Sequence, residues 1–193
     1  MKKILSGLTV VLTLAAGACH AGGLVACKSL RSYPVWSDVL TFNAGDVGLP
    51  GAVYVGIHTP DKTKAAFLNE AGQWEPYTGG LYPIAKRFEA GVPASVPMAV
   101  TFPSTTTDPY VGWQIYIGYG VINASDQDMI RKRREMLNAA KPERVAQGRW
   151  SPLLDNDDHV KLAVLHKDLT RNQKYRWSVA VPFLDCDPDT GGK

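Results

Sequence analysis

Beyond its first residues, this 193-residue chain has no apolar run near the roughly 20 residues that cross a bilayer as a helix. A bundle of membrane-spanning helices is therefore not expected. There is no Gly-x-Ser-x-Gly elbow, no phosphate loop and no dinucleotide fingerprint. The four histidines are His20, His58, His159 and His166, and no two have zinc-ligand spacing. These absences favour a binding protein over an enzyme. Charge is nearly balanced, with 21 basic against 18 acidic residues, so no field singles out nucleic acid. Cysteine is scarce, at three residues.

What the N-terminus does have is an export signal. Lys2 and Lys3 precede a mainly apolar run from Ile4 to Ala16, and small residues follow through Ala21. The expected signal peptide is 1–21, leaving 22–193 as one domain with enough chain for a core. Two basic and no acidic residues leave with it, so the remainder carries a net charge of +1. Ala16-Gly17-Ala18-Cys19 also resembles a bacterial lipobox, which would lipidate Cys19 and give the protein its membrane contact. Cys27 and Cys186 remain near the two ends of the domain. A disulfide between them is expected in an oxidising compartment, and it would bring the first and last strands together.

Alternation dominates the middle of the chain. From Gly112 to Ile122, Trp113, Ile115, Ile117, Tyr119 and Val121 fall on one side. The other side carries Gln114, Tyr116, Gly118, Gly120 and Ile122. Glycines at that spacing imply a bulge, a close backbone approach, or a ring lying over bare backbone. Residues 52–58 repeat the design, with Tyr54 and Gly56 outward and Val53, Val55 and Ile57 inward. A strand is expected at 35–42, near an edge or with slipped alternation because Asp38 falls among Trp36, Leu40 and Phe42. A hairpin is expected over 65–77, and strands at 95–102, 160–166 and 175–181. Ser125 reads as the cap of one helix that Pro142 stops. The fold class is thus an all-β antiparallel sandwich with one short helix after the central strand.

Candidate chemistry is thin. Arg131-Lys-Arg-Arg134 spreads around a full helical turn and reads mainly as a solvated surface. Asp155 and Asp157 offer oxygen ligands at alternate positions, a weak calcium pattern that lacks the glycine and distal glutamate of a full loop. Trp74, Tyr77, Tyr82 and Tyr110 lie in turn-rich stretches, where rings either cap the sandwich or form a binding surface.

The succession Gly45-Asp-Val-Gly48, Gly51-x-x-Tyr54-Val-Gly56, Phe67-Leu68 with Gly72-x-Trp74, and Tyr116-Ile-Gly118-Tyr-Gly120 resembles a β-rich module of exported proteobacterial proteins. In that module a Tyr-Val-Gly-Tyr-Gly-type strand precedes an acidic helix start and a methionine, here Asp126-Gln-Asp-Met129. The resemblance spans roughly residues 43–140 and implies a secreted or surface-attached domain without catalytic residues. The expected function is a non-catalytic binding or assembly module of the bacterial periplasm or cell surface. Its partner would be an envelope or surface protein or a glycan, met through Tyr54, Trp74, Tyr77, Tyr116 and Arg133. The alternatives are a lipoprotein subunit of an envelope or pilus-type machine, and a secreted metal-dependent hydrolase using Asp155, Asp157, His159 and His166.

Overall fold

The computed structural model describes residues 22–187. The expected signal peptide, 1–21, and Cys19 lie outside them. Nine strands run as β1 (Leu24–Cys27), β2 (Pro34–Thr41), β3 (Gly51–His58), β4 (Ala65–Leu68), β5 (Trp74–Pro76), β6 (Lys86–Phe88), β7 (Ser95–Thr101), β8 (Gln114–Val121) and β9 (Tyr175–Ala180). Two helices, α1 (Ala124–Ala146) and α2 (Asp158–Arg171), fall between β8 and β9.

The strands form two antiparallel sheets, β1-β2-β7 and β5-β4-β3-β8-β9, with β6 also pairing to β3. Alternation builds the core between them. Trp36 and Leu40 of β2 and Val96, Met98 and Val100 of β7 face Val53, Val55 and Ile57 of β3 and Ile115, Ile117, Tyr119 and Val121 of β8. The mainly β, two-sheet architecture is the one expected. The hairpin also forms as read, β4 and β5 joined through the Asn69–Gly72 turn. Cys27 and Cys186 form the disulfide. It ties the end of β1 to the segment after β9.

Four details depart from the sequence reading. Residues 160–166 belong to helix α2, because Val164, Leu165 and Leu169 share a helical face that packs on the larger sheet beside Tyr54 and Ile122. The described residues therefore hold two α-helices, and the first is 23 residues long. Its cap is Asn123, whose Oδ1 accepts from Asp126 N at 2.9 Å, two residues before the expected Ser125. Pro142 does not end it; the carbonyl that loses its intrahelical donor belongs to residue 138, and residues 138 and 142 are both exposed, where such a loss costs least.

The fourth departure concerns β2, which lies in the middle of its sheet and alternates without a break from Trp36 to Thr41. Asp38 stays inside because it has partners. Ser178 Oγ donates to it at 2.5 Å and Arg176 pairs with it at 2.7 Å, while Trp36 Nε1 donates to Ser178 Oγ at 3.0 Å. A bulge between β8 and β9 skips Ser178 in the register and turns it toward this buried group.

Candidate functional site

The two Tyr-x-Gly strands pair side by side, Tyr54 with Gly118 and Gly56 with Tyr116. Opposed residues in antiparallel strands share a face. Rings and glycines therefore alternate over the side of the larger sheet away from the inter-sheet core. The register carries this outward to Phe67 of β4, opposite Gly56, and to Trp177 and Tyr175 of β9, opposite Tyr116 and Gly118. One row across the sheet reads Phe67, Gly56, Tyr116, Trp177. The next reads Tyr54, Gly118, Tyr175.

Each glycine admits something a side chain would exclude. A Cβ on Gly120 would stand 2.1 Å from Leu165 O, and one on Gly118 would stand 2.8 Å from Leu169 Cδ1. Helix α2 thus crosses the sheet on bare backbone. A Cβ on Gly56 would meet the Phe67 ring at 2.8 Å, so a ring covers that glycine. Close approach and ring cover, two readings of the glycine spacing, both occur here.

Because α2 ends at Arg171, it covers only part of this face. Beside its last turn lies a pocket of about 390 Å³, within the usual range for small-ligand sites. Gly56 and Gly118 line it together with Tyr54, Phe67, Tyr82, Tyr116 and Tyr175; Leu169 and Thr170 come from α2 and Lys62 from the β3–β4 turn. None of its lining residues is acidic.

The rings hold one another. Phe67 stacks on Tyr82 with centroids 4.3 Å apart, and Tyr77 meets both edge-on at 5.2 Å. Tyr82 meets His166 at 4.5 Å. At the other end, His58 stacks on Tyr116 at 5.1 Å. Such contacts fix ring orientation at little entropic cost. Tyr175 and Trp177 remain about half exposed, at 51% and 52%.

Two polar atoms beside the pocket are sealed from solvent without a hydrogen-bond partner among the described residues, Tyr54 Oη and His166 Nε2. Burial raises the Tyr54 phenol well above its ordinary value and lowers the His166 imidazole. Both side chains stay neutral near pH 7.

Of the five residues expected to make contact, Tyr54 and Tyr116 line this pocket, and Tyr77 is one ring away through Phe67. Trp74 instead packs, half-buried, against the inter-sheet core. Arg133 is on α1 and pairs, with Arg134, to Asp157. Lys141 pairs with Asp155 at 2.5 Å. The two carboxylates of the calcium pattern are thus each held by a cation. Burial alone would raise the Asp157 carboxyl, but Arg134 and Arg133 overcome it and hold the group below its usual range. Among the described residues no three His, Cys, Asp or Glu side chains gather into a group that could hold a metal ion. His159, at the exposed start of α2, and His166, two turns on, do not join Asp155 and Asp157 in such a group.

Sequence reasoning missed Phe67, Tyr175 and Trp177 as members of this face. The signal was present, since 175–181 was expected to be a strand. Only the pairing of β9 with β8 places its aromatic positions beside Tyr116 and Gly118. No protein-family model, curated protein or solved structure matches the chain.

Proposed function

We propose that this protein is an exported, non-catalytic binding module, and that it meets an envelope or surface partner through the uncovered aromatic face of its larger sheet. The observation that carries the reading is the pocket itself, where five Phe and Tyr rings from four strands and a loop gather around two glycines beside the end of α2. Convergent aromatic side chains in a concave, mostly apolar site are the usual make-up of a binding surface. The Cys27–Cys186 disulfide is compatible with an oxidising, exported compartment. No helix among the described residues is long and apolar enough to cross a membrane.

The test is retention of a bacterial envelope fraction by immobilised, disulfide-bonded protein. Tyr116→Ala and Trp177→Ala are expected to cut retention at least tenfold with unchanged circular dichroism. Retention that survives both substitutions would remove this face as the binding surface. Arg133→Ala then serves as the comparison, since Arg133 lies on α1.

A further inference from the structure

The binding face is shaped for one kind of occupant. Its two rows cross the strands at right angles, and the first runs from Phe67 on β4 to Trp177 on β9. That is three strand spacings, about 14 Å. Along it Phe67 lies over Gly56 and stacks on Tyr82, and Tyr116 stacks on His58, so the row is a fixed aromatic pavement whose most open rings are those of β9. The outer rings, Trp177 and Tyr175, are half exposed and need little rearrangement to receive a ligand. Polar groups border the rings. Tyr116 Oη points to Gln114 Oε1 at a long 3.4 Å, and Lys62 has no acidic neighbour among the lining residues.

We propose that this face binds a glycan chain of two to four pyranose rings laid across β3, β8 and β9. The assignment rests on the preceding reading that the face is the binding surface, and it names the ligand. A pyranose ring presents C–H bonds on its faces and hydroxyls around its rim. The C–H face lies against the π face of Trp177 or Tyr116, and the rim meets hydroxyl, amide and ammonium groups beside them. A peptide would be favoured by a continuous apolar groove or an open strand edge offering main-chain partners. Here the long axis of the aromatic rows runs across the strands, so a bound chain stacks on rings and does not extend the ladder. Lys62, a cation with no carboxylate beside it in the lining, adds tolerance for acidic sugars at the β3–β4 end.

The experiment is isothermal titration of the disulfide-bonded protein with soluble mono- to hexasaccharides. The series includes β-linked glucose, β-linked N-acetylglucosamine and a uronic-acid oligomer, and tryptophan fluorescence is read on the same samples. Affinity is expected to rise at least tenfold from one ring to three in one of the series, then level off once the aromatic row is filled. Trp177→Ala is expected to lower that affinity at least tenfold, and Trp177→Phe to keep most of it while losing the fluorescence change. Trp177 is half exposed, so neither change should disturb folding. If no saccharide binds at millimolar concentration while retention of an envelope protein still depends on Tyr116 and Trp177, the ligand class is wrong and the binding face stands. If saccharides bind with an affinity that Tyr116→Ala and Trp177→Ala leave unchanged, the assignment of the glycan to this face is overturned. If no saccharide binds and envelope retention is indifferent to both substitutions, the binding face itself falls.

Discussion

Gly120 faces a main-chain carbonyl that cannot move aside. An alanine there would put its Cβ 2.1 Å from Leu165 O, and α2 would have to lift off the sheet. Gly120→Ala is expected to cost about 2–4 kcal/mol, read as a loss in denaturant midpoint. At Gly56 the obstruction is a side chain, the Phe67 ring at 2.8 Å, which can tilt. Gly56→Ala is expected to cost only about 1 kcal/mol while narrowing the pocket. Equal losses at the two positions would contradict this account of the glycines. Tyr54 makes a further test. Its hydroxyl is sealed and unpartnered, so Tyr54→Phe is expected to leave stability unchanged or raise it by up to about 1 kcal/mol. A loss of 2 kcal/mol or more would mean the hydroxyl has an energetic partner. The glycine positions were legible in the sequence because alternation alone assigns a face to each residue. What covers them was not, since that depends on the β3–β4 pairing at Gly56 and on a helix 45 residues away at Gly120.

Helix α2 shows how a helix can read as a strand. Val160, Leu162 and Val164 alternate, yet Val160, Val164, Leu165 and Leu169 also follow helical spacing, and that second pattern packs. The bare face of Gly118 and Gly120 decides between them, because it needs a cover that a narrow edge strand cannot supply. The element is pinned at its end by Lys174, which pairs with Asp168 and Asp46 at 2.9 Å each, all three largely buried. Asp168 Oδ2 also accepts from Val121 N. Lys174→Met would strand two buried carboxylates, and a loss of about 3–5 kcal/mol is expected. This cluster was invisible in the sequence, because its members are separated by up to 128 positions and none is unusual alone.

His166, on the same helix, gives α2 a pH dependence. Its folded pKa lies below the unfolded value of about 6.5, so the unfolded chain takes up the proton first. Its contribution to stability is complete above that value and is lost as pH falls through it. His166→Phe keeps a ring against Tyr82 and is expected to flatten this slope in denaturation curves taken between about pH 5 and pH 8. An unchanged slope would assign the titration to another group.

For the whole molecule, the clasp and the sandwich were both foreseeable, the first from cysteine scarcity and position, the second from alternation. Cys27 and Cys186 are 159 positions apart, so their bond constrains nearly the entire unfolded chain. Reduction is expected to lower stability by about 2–5 kcal/mol without changing the sheets. The aromatic face was only half legible. Tyr54 and Tyr116 were visible as outward rings on matching strands, whereas Tyr175 and Trp177 join them only through the β8–β9 pairing. Trp74 and Arg133 looked similar in sequence but fold elsewhere, one into the inter-sheet core and one into an ion pair.

The most direct test of the binding face is hydroxyl-radical footprinting of the disulfide-bonded protein, alone and carrying whatever it retains from an envelope fraction. Tyr116, Tyr175 and Trp177 are expected to be protected in the loaded sample. Met129 and Met136, exposed on α1, are expected to oxidise equally in both. Protection of Met129 and Met136, with Tyr116 and Trp177 left open, would move the binding surface to α1 and contradict the account.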